Sequence, residues 1–149
     1  MGRKDKKVKW VDEPAHSDKR PKIRQNVDEK HNSMTFCWRS DMVDHEGPWG
    51  LRLADHDCTW GQIIPKLHEL ESQTWGELYG QKNGSTHPMP VTKIEKEAQQ
   101  RLQEIGQDQW DTLFQINVRG GIRLWGIRDR AIFHLLWYDP SHTVYVQRT

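Results

Sequence analysis

Residues 113–138 read LFQINVRGGIRLWGIRDRAIFHLLWY, and this stretch decides the fold. Apolar and polar residues alternate from Phe114 to Arg119, which is the period of a β-strand with one buried face. The pair Gly120-Gly121 predicts a turn, and residues 122–128 predict the return strand. The nearly all-apolar run 131–138 predicts a strand buried on both faces. The C-terminal third is therefore predicted to be an antiparallel sheet.

The register of the first hairpin decides which side chains share a face of that sheet. A two-residue Gly-Gly turn would place Arg123 opposite Val118, on the apolar face. A three-residue loop pairs Arg123 with Asn117 and Trp125 with Gln115, and it keeps the apolar residues together. We prefer the second register, and we expect one face of the sheet to be polar and open while the other packs on helices.

The segment upstream of the sheet predicts one strand, two or three helices and a loop. Residues 35–43 have the composition of a strand. Helices are expected after capping boxes, in which a Thr and the residue three positions later satisfy free backbone amides; the candidates are Thr59 with Gln62, Thr74 with Glu77, and Thr92 with Glu95. Gly106 is expected to end the last helix. Residues 80–91 predict a loop.

The fold expected from these elements is α+β: an N-terminal strand, two or three helices and a three-stranded antiparallel meander. Residues 143–146 are predicted to add a last short strand after a turn at Asp139-Pro140. Strand periodicity would place Phe133, Leu135 and Trp137 on one face, packed against the last helix.

The charge distribution divides the chain into a basic N-terminal segment and one domain. Residues 1–26 carry a net charge of +5 and few aliphatic residues, so 1–33 are predicted to be a disordered basic tail and 34–149 a single α+β domain. Residues 27–113 carry −7 and residues 114–149 carry +3. This asymmetry favours an anionic partner on the sheet side, although +3 is also compatible with ordinary solvation of a sheet.

Secretion, membrane insertion and metal binding are not predicted. The charged N-terminus lacks the apolar core of a signal peptide, and no run approaches the roughly 20 apolar residues of a membrane span. Cys37 and Cys58 have no zinc spacing, so reduced thiols and a cytoplasmic location are expected. The strings DHEGPWG at 44–50 and DHDCTWG at 55–61 contain possible ligands. Adjacent side chains point in different directions, however, and no metal or cofactor is predicted.

The predicted polar face has the residue types that suit RNA. Arg123 would contact phosphate, Trp125 would stack on a base, and Asn117, Arg119 and Arg128 would add RNA contacts.

Cleavage of RNA without a metal needs a base for the 2′-hydroxyl, a cation for the phosphorane and an acid for the 5′-oxygen. Arg123 could be the cation, and His142 and Tyr145 could exchange protons. Each residue also has a structural interpretation: Arg123 as a solvated sheet arginine, His142 as a cap of the Asp139-Pro140 turn, and Tyr145 as an edge-strand aromatic.

The element order and the string IRLWGI at 122–127, with His142 and Tyr145 near the end, resemble the RelE/ParE toxin superfamily. The resemblance implies a ribosome-associated, metal-independent mRNA endoribonuclease that an antitoxin holds inactive, with an arginine matching Arg123 and His or Tyr at the last strand. Residues 114–145 also resemble small bacterial and phage proteins, for which the likeness implies a fold and no activity. The alternative function is a non-catalytic protein- or nucleic-acid-binding accessory module on the same fold.

Overall fold

The structure, a computed structural model, describes residues 29–80 and 86–147. Within them five strands form one sheet: β1 (Cys37–Arg39), β2 (Thr86–Pro90), β3 (Thr112–Asn117), β4 (Arg123–Asp129) and β5 (Ile132–Asp139). The helices are α1 (His56–Cys58), α2 (Ile64–Leu70), α3 (Trp75–Tyr79) and α4 (Lys96–Glu104), and a π-helical turn, Thr59–Ile63, joins α1 to α2. The α+β class is thus confirmed.

The sheet has five strands and is mixed, so the predicted three-stranded antiparallel meander does not describe the sheet as a whole. Its strand order is β1-β5-β4-β3-β2, in which β1 runs parallel to β5 and the other neighbours are antiparallel. The strand expected over 35–43 is confined to β1. The edge strand β2 lies inside the predicted loop 80–91, where Pro88 and Pro90 obscured it; prolines are tolerated there because one side of an edge strand has no hydrogen-bonded neighbour.

Helices cover both faces of the sheet. The prediction that one face is polar and open was therefore wrong. One face, here called the α2 face, packs on α2 and α3; its buried residues from the sheet are Phe114, Ile116, Leu124, Phe133, Leu135 and Tyr138. The other, here called the α4 face, packs on α4 and on the loop around Trp49; its buried residues from the sheet are Met89, Leu113, Trp125, Ile127, Leu136 and Trp137. Burial of two apolar faces explains why β5 is apolar throughout.

A β-bulge changes the expected division of β5 between the two faces. Trp125 pairs with Trp137, but the next residue, Gly126, pairs with Leu135, so β5 contains one extra residue at this point. Consequently Phe133 and Leu135 lie on the α2 face, and only Trp137 packs on the side of α4 as predicted. Gly126 permits the close approach, because a Cβ there would collide with the Phe133 ring and the His134 carbonyl.

The helix starts agree with one of the three predicted capping boxes. At Thr74 both bonds form: the Glu77 backbone N–H donates to Thr74 Oγ1 at 3.2 Å, and the Thr74 N–H donates to Glu77 Oε2 at 3.4 Å. The helix expected to begin at Thr59 begins earlier, because the Asp55 carboxylate accepts the Cys58 N–H at 2.7 Å. The last helix begins after Glu95 instead of Thr92.

The C-terminal ends of α4 and of the sheet are set by local turns. Gly106, with φ of 72°, ends α4 as predicted. The predicted strand over 143–146 is absent from the described chain, because the Asp139 carboxylate accepts the backbone N–H groups of Thr143 and Val144 and turns the backbone. The Val144 carbonyl then accepts the Glu95 N–H, at the start of α4.

The prediction of a disordered tail over 1–33 lies mostly outside the described residues. Its last five residues are a turn of 3-10 helix, Glu29–Ser33, in which His31 is buried. Asn32 accepts a hydrogen bond from the Arg128 guanidinium at 3.1 Å. The folded domain therefore includes the turn Glu29–Ser33. Every helix in the two described ranges is too short or too polar to cross a membrane.

Candidate nucleic-acid interface

The β3–β4 hairpin positions most of the predicted site residues, and its register is the predicted one. Arg123 pairs with Asn117, and Trp125 pairs with Gln115. The Val118 N–H donates to the Ile122 carbonyl at 2.7 Å and closes a three-residue loop. Gly120 and Gly121 have φ of 83° and 81°, which explains the two glycines, since other residues rarely adopt this conformation.

Arg123 is a half-buried cation near the hairpin end of the sheet. It lies in a row across three strands, between Asn117 on β3 and Asp139 on β5. Asp139 is fully buried and accepts hydrogen bonds from the Trp125 indole and from the backbone of Thr143, at 3.2 and 3.0 Å. The Arg123 side chain has no hydrogen-bond acceptor and no ion-pair partner among the described residues. Its positive charge is therefore not neutralised by a direct partner in the described chain.

His142 comes to the same hairpin from the other side of the Asp139-Pro140 turn. Its backbone is left-handed, with φ of 58°, and its ring Nε2 contacts the Gly121 carbonyl. The predicted turn is thus present, but the imidazole contacts the hairpin instead of capping its own turn. Tyr145 is half-buried against the core of the α4 face, in a segment that is not a strand.

Two of the predicted RNA-binding residues are buried and have structural roles. Trp125 has no exposed surface, and its indole N–H donates to Asp139 Oδ2, so it is not available to stack on a base. Arg128 is 2% exposed; its guanidinium lies 4.1 Å from the centre of a Trp75 ring and donates to the Tyr79 hydroxyl at 2.8 Å. Arg128 joins β4 to α3, a role that its spacing in the sequence did not indicate.

Arg119 is exposed and lines a groove of about 510 Å³ between the hairpin and the helix that contains α2. The hairpin side is Val118 and Arg119, and the helix side lies between Gly61 and Glu69 and includes Lys66. Lys66 was not among the predicted site residues, because a lysine on a helix surface has no distinctive pattern. Only the tertiary structure places it in the same groove as Arg119.

The π-helical turn beside this groove has a local cause in Pro65. Proline lacks the N–H that an α-helix requires at this point, and its ring would clash with the carbonyl four residues earlier. The Ile64 N–H instead reaches back five residues to the Thr59 carbonyl, which widens the turn. This widened turn forms the end of the groove at Gly61 and Gln62.

The two acidic–His strings have separate structural roles. Asp44 is buried and forms a bidentate ion pair with Arg101, with both N···O distances at 2.8 Å. It also accepts the Trp137 indole N–H, and these hydrogen bonds lower the pKa of the Asp44 carboxyl to about 2 against the opposing effect of burial. Asp55 caps α1. Across 29–80 and 86–147, no three His, Cys, Asp or Glu side chains are grouped as a metal site would require.

Comparisons with known proteins identify no relative. No protein-family model matches the chain, and no characterised protein or solved structure is similar enough to it to support a relationship. The function is therefore argued from the residues and their geometry.

Proposed function

We propose that this chain is an RNA-directed toxin domain with a RelE/ParE-like fold, which cleaves mRNA without a metal ion. The observation that supports it is the position of Arg123, whose guanidinium has no hydrogen-bond or ion-pair partner among the described residues. Arg123 follows the hairpin loop that His142 contacts. A positioned, unpaired arginine suits a phosphate, because two parallel N–H donors match two phosphate oxygens.

In this proposal each of the predicted site residues that remain accessible has a distinct role. Arg123 stabilises the negative charge that develops on the phosphorane. His142 and Tyr145 transfer protons to and from the attacking and leaving oxygens. Asn117 and Arg119 bind the flanking RNA. The ribosome and an antitoxin protein, which the family resemblance implies, are partners within the same proposal.

Induced expression in a bacterial host tests the proposal. The wild-type chain should arrest growth and fragment mRNA, and Arg123→Ala should lower cleavage by about a hundredfold or more, the usual cost of removing one group that stabilises transition-state charge. Arg52→Ala is the matched control, because Arg52 is an exposed arginine in a different element, the turn Leu51–Leu53. Unchanged growth and intact mRNA after wild-type induction would show that the nuclease proposal is wrong.

His142 can be tested without disturbing its turn. Asparagine tolerates the left-handed backbone that His142 adopts, so His142→Asn should keep the fold and remove the proton-transfer group. We expect the purified variant to bind labelled RNA as the wild type does and to cleave it at least about a hundredfold more slowly. Equal cleavage by the variant would leave His142 with a structural role alone.

A second candidate function, a non-catalytic accessory module that binds nucleic acid or protein, is favoured by a different observation. Trp125 and Arg128 are buried, which removes two groups from the RNA-contacting set. A purified wild-type chain that binds labelled RNA and leaves it intact would support this candidate over the nuclease.

A further inference from the structure

The groove between the β3–β4 hairpin and the π-helical turn contains two cations, and an exposed aromatic residue is next to one of its lining residues in the sequence. Arg119 contributes a cation from the hairpin wall and Lys66 one from the helix wall. Trp60, which immediately precedes groove-lining Gly61, is 62% exposed, the highest value among the exposed large apolar side chains of the described residues. An indole this exposed is uncommon for a large apolar residue.

The wall at Gly61 is unusually open. A Cβ built at Gly61 would meet no atom within 4 Å, so the missing side chain does not serve packing within the protein. Glycine inside a helical segment also lowers helix stability relative to alanine. A glycine at position 61 allows the backbone of a ligand to approach the helix closely, and this is a functional reason for the missing side chain.

The chemistry of the groove fits a single-stranded nucleic acid. Cations contact the phosphates of such a ligand, and an exposed aromatic ring stacks on its bases. The groove volume of about 510 Å³ is within the range of small-ligand pockets. The net charge of +3 on residues 114–149 has the sign that an RNA ligand requires.

We infer that this groove binds a single-stranded segment of RNA, with a phosphate between Lys66 and Arg119 and a base stacked on Trp60. The inference rests on the proposed RNA-directed function and extends it, because it assigns a path for the strand away from Arg123. Glu69, which also lines the groove, lies 3.9 Å from the Lys66 ammonium. The RNA phosphate competes with Glu69 for Lys66.

Binding of a labelled 12-nucleotide oligouridylate to the full chain tests this inference. Trp60→Ala should weaken binding about tenfold, the effect of losing one stacked base. Arg119→Gln should weaken it a few-fold and reduce the salt dependence by about one phosphate contact. Glu69→Gln should strengthen binding, because the competing carboxylate is removed. An increase of this sign is expected only for an anionic ligand in the groove.

Gly61→Ala separates binding from folding. The added methyl group meets no protein atom, so the thermal midpoint should not fall, while RNA binding should weaken because the ligand's closest approach is obstructed. Gly80→Ala is the matched control, since the new Cβ would make only ordinary contacts, 3.5 and 3.7 Å from backbone oxygens of Gly76 and Glu77. Arg52→Gln is the matched control for Arg119→Gln, because it also replaces one arginine by a neutral glutamine.

The possible outcomes test the groove as a binding site and the RNA-directed function separately. If the wild type binds the oligouridylate and Trp60→Ala, Gly61→Ala and the controls bind equally well, the groove is not the site, and the RNA-directed function stands. If the wild type binds no oligouridylate, the groove site is wrong, and if its induction also leaves mRNA intact, the proposed function is wrong as well. If a 12-residue oligoglutamate displaces the RNA as effectively as unlabelled oligouridylate does, the groove recognises an acidic polypeptide and the inference is overturned.

Discussion

The two faces of the sheet are both covered by helices, but they are closed by different interactions. The α2 face is closed by aromatic and aliphatic packing, including the Phe36, Trp75, Phe114 and Phe133 rings with centroids 5.1 to 6.1 Å apart. The buried charge of the α2 face is the Arg128 guanidinium, which lies over the Trp75 ring. The α4 face instead buries two carboxylates, Asp44 paired with Arg101 and Asp139 bonded to the Trp125 indole. It also buries His134, whose ring lies 2.7 Å from the exposed Asp41. A polar residue on a strand is therefore not evidence that its face is exposed.

The buried ion pair of the α4 face should give the largest effect on stability. Asp44→Asn removes the charge that pairs with Arg101, and we expect it to lower the free energy of unfolding by about 3–5 kcal/mol at pH 6. Urea melts measure this. A loss below about 1 kcal/mol would mean that packing alone closes this face.

The difference in stability between the wild type and this variant should depend on pH. The Asp44 pKa is about 2 in the folded chain and about 3.9 in the unfolded chain, so its contribution is complete above pH 3.9 and declines as the pH falls toward 2. The difference in stability between wild type and Asp44→Asn should therefore be smaller at pH 3 than at pH 6. A difference that is constant with pH would contradict the role of the carboxylate.

Two arginines on β4 should respond very differently to the same substitution. Arg128→Ala removes hydrogen bonds to Tyr79, to Asn32 and to the Arg130 carbonyl in a buried site, and should cost about 3 kcal/mol. Arg123→Ala removes no such bond within the described chain and should cost under about 1 kcal/mol. Urea melts of the two variants compare them directly. An equal loss would make Arg123 a structural ion and remove the central residue of the proposed site.

The smallest effect compares one tryptophan from each face. The Trp137 indole N–H donates to the Asp44 carboxylate at 3.0 Å, and the Trp75 indole N–H donates to the neutral Ala131 carbonyl at 2.8 Å. Both rings are fully buried, so the Trp→Phe packing costs should be similar. Because hydrogen bonds to charged groups contribute more, Trp137→Phe should be less stable than Trp75→Phe by about 1 kcal/mol in urea melts. The reverse order would show that packing differences exceed the hydrogen-bond difference.

The sequence alone predicted the features that a single local rule specifies, where no other interaction opposes that rule. The Gly-Gly loop and the alternation of apolar residues determined the register of Asn117 with Arg123. Thr74 and Glu77 determined the start of α3. These features depend on residues close together in the chain, and their energies do not depend on what packs above them.

The tertiary structure decided the features that depend on distant residues. The alternation placed Trp125 on the polar face, but only the packing of α4 showed that this face is covered. The bulge in β5 opposite Trp125 and Gly126 placed Phe133 and Leu135 on the α2 face, away from Trp137, because the approach of the Phe133 ring depends on the neighbouring strand. In the same way, Lys66 and Arg119 are 53 positions apart in the sequence and line one groove only because the hairpin packs beside α2. The residue types and the turns were thus determined by the sequence itself. The exposure of each side chain, and with it the candidate site, was determined by contacts that form only in the folded chain.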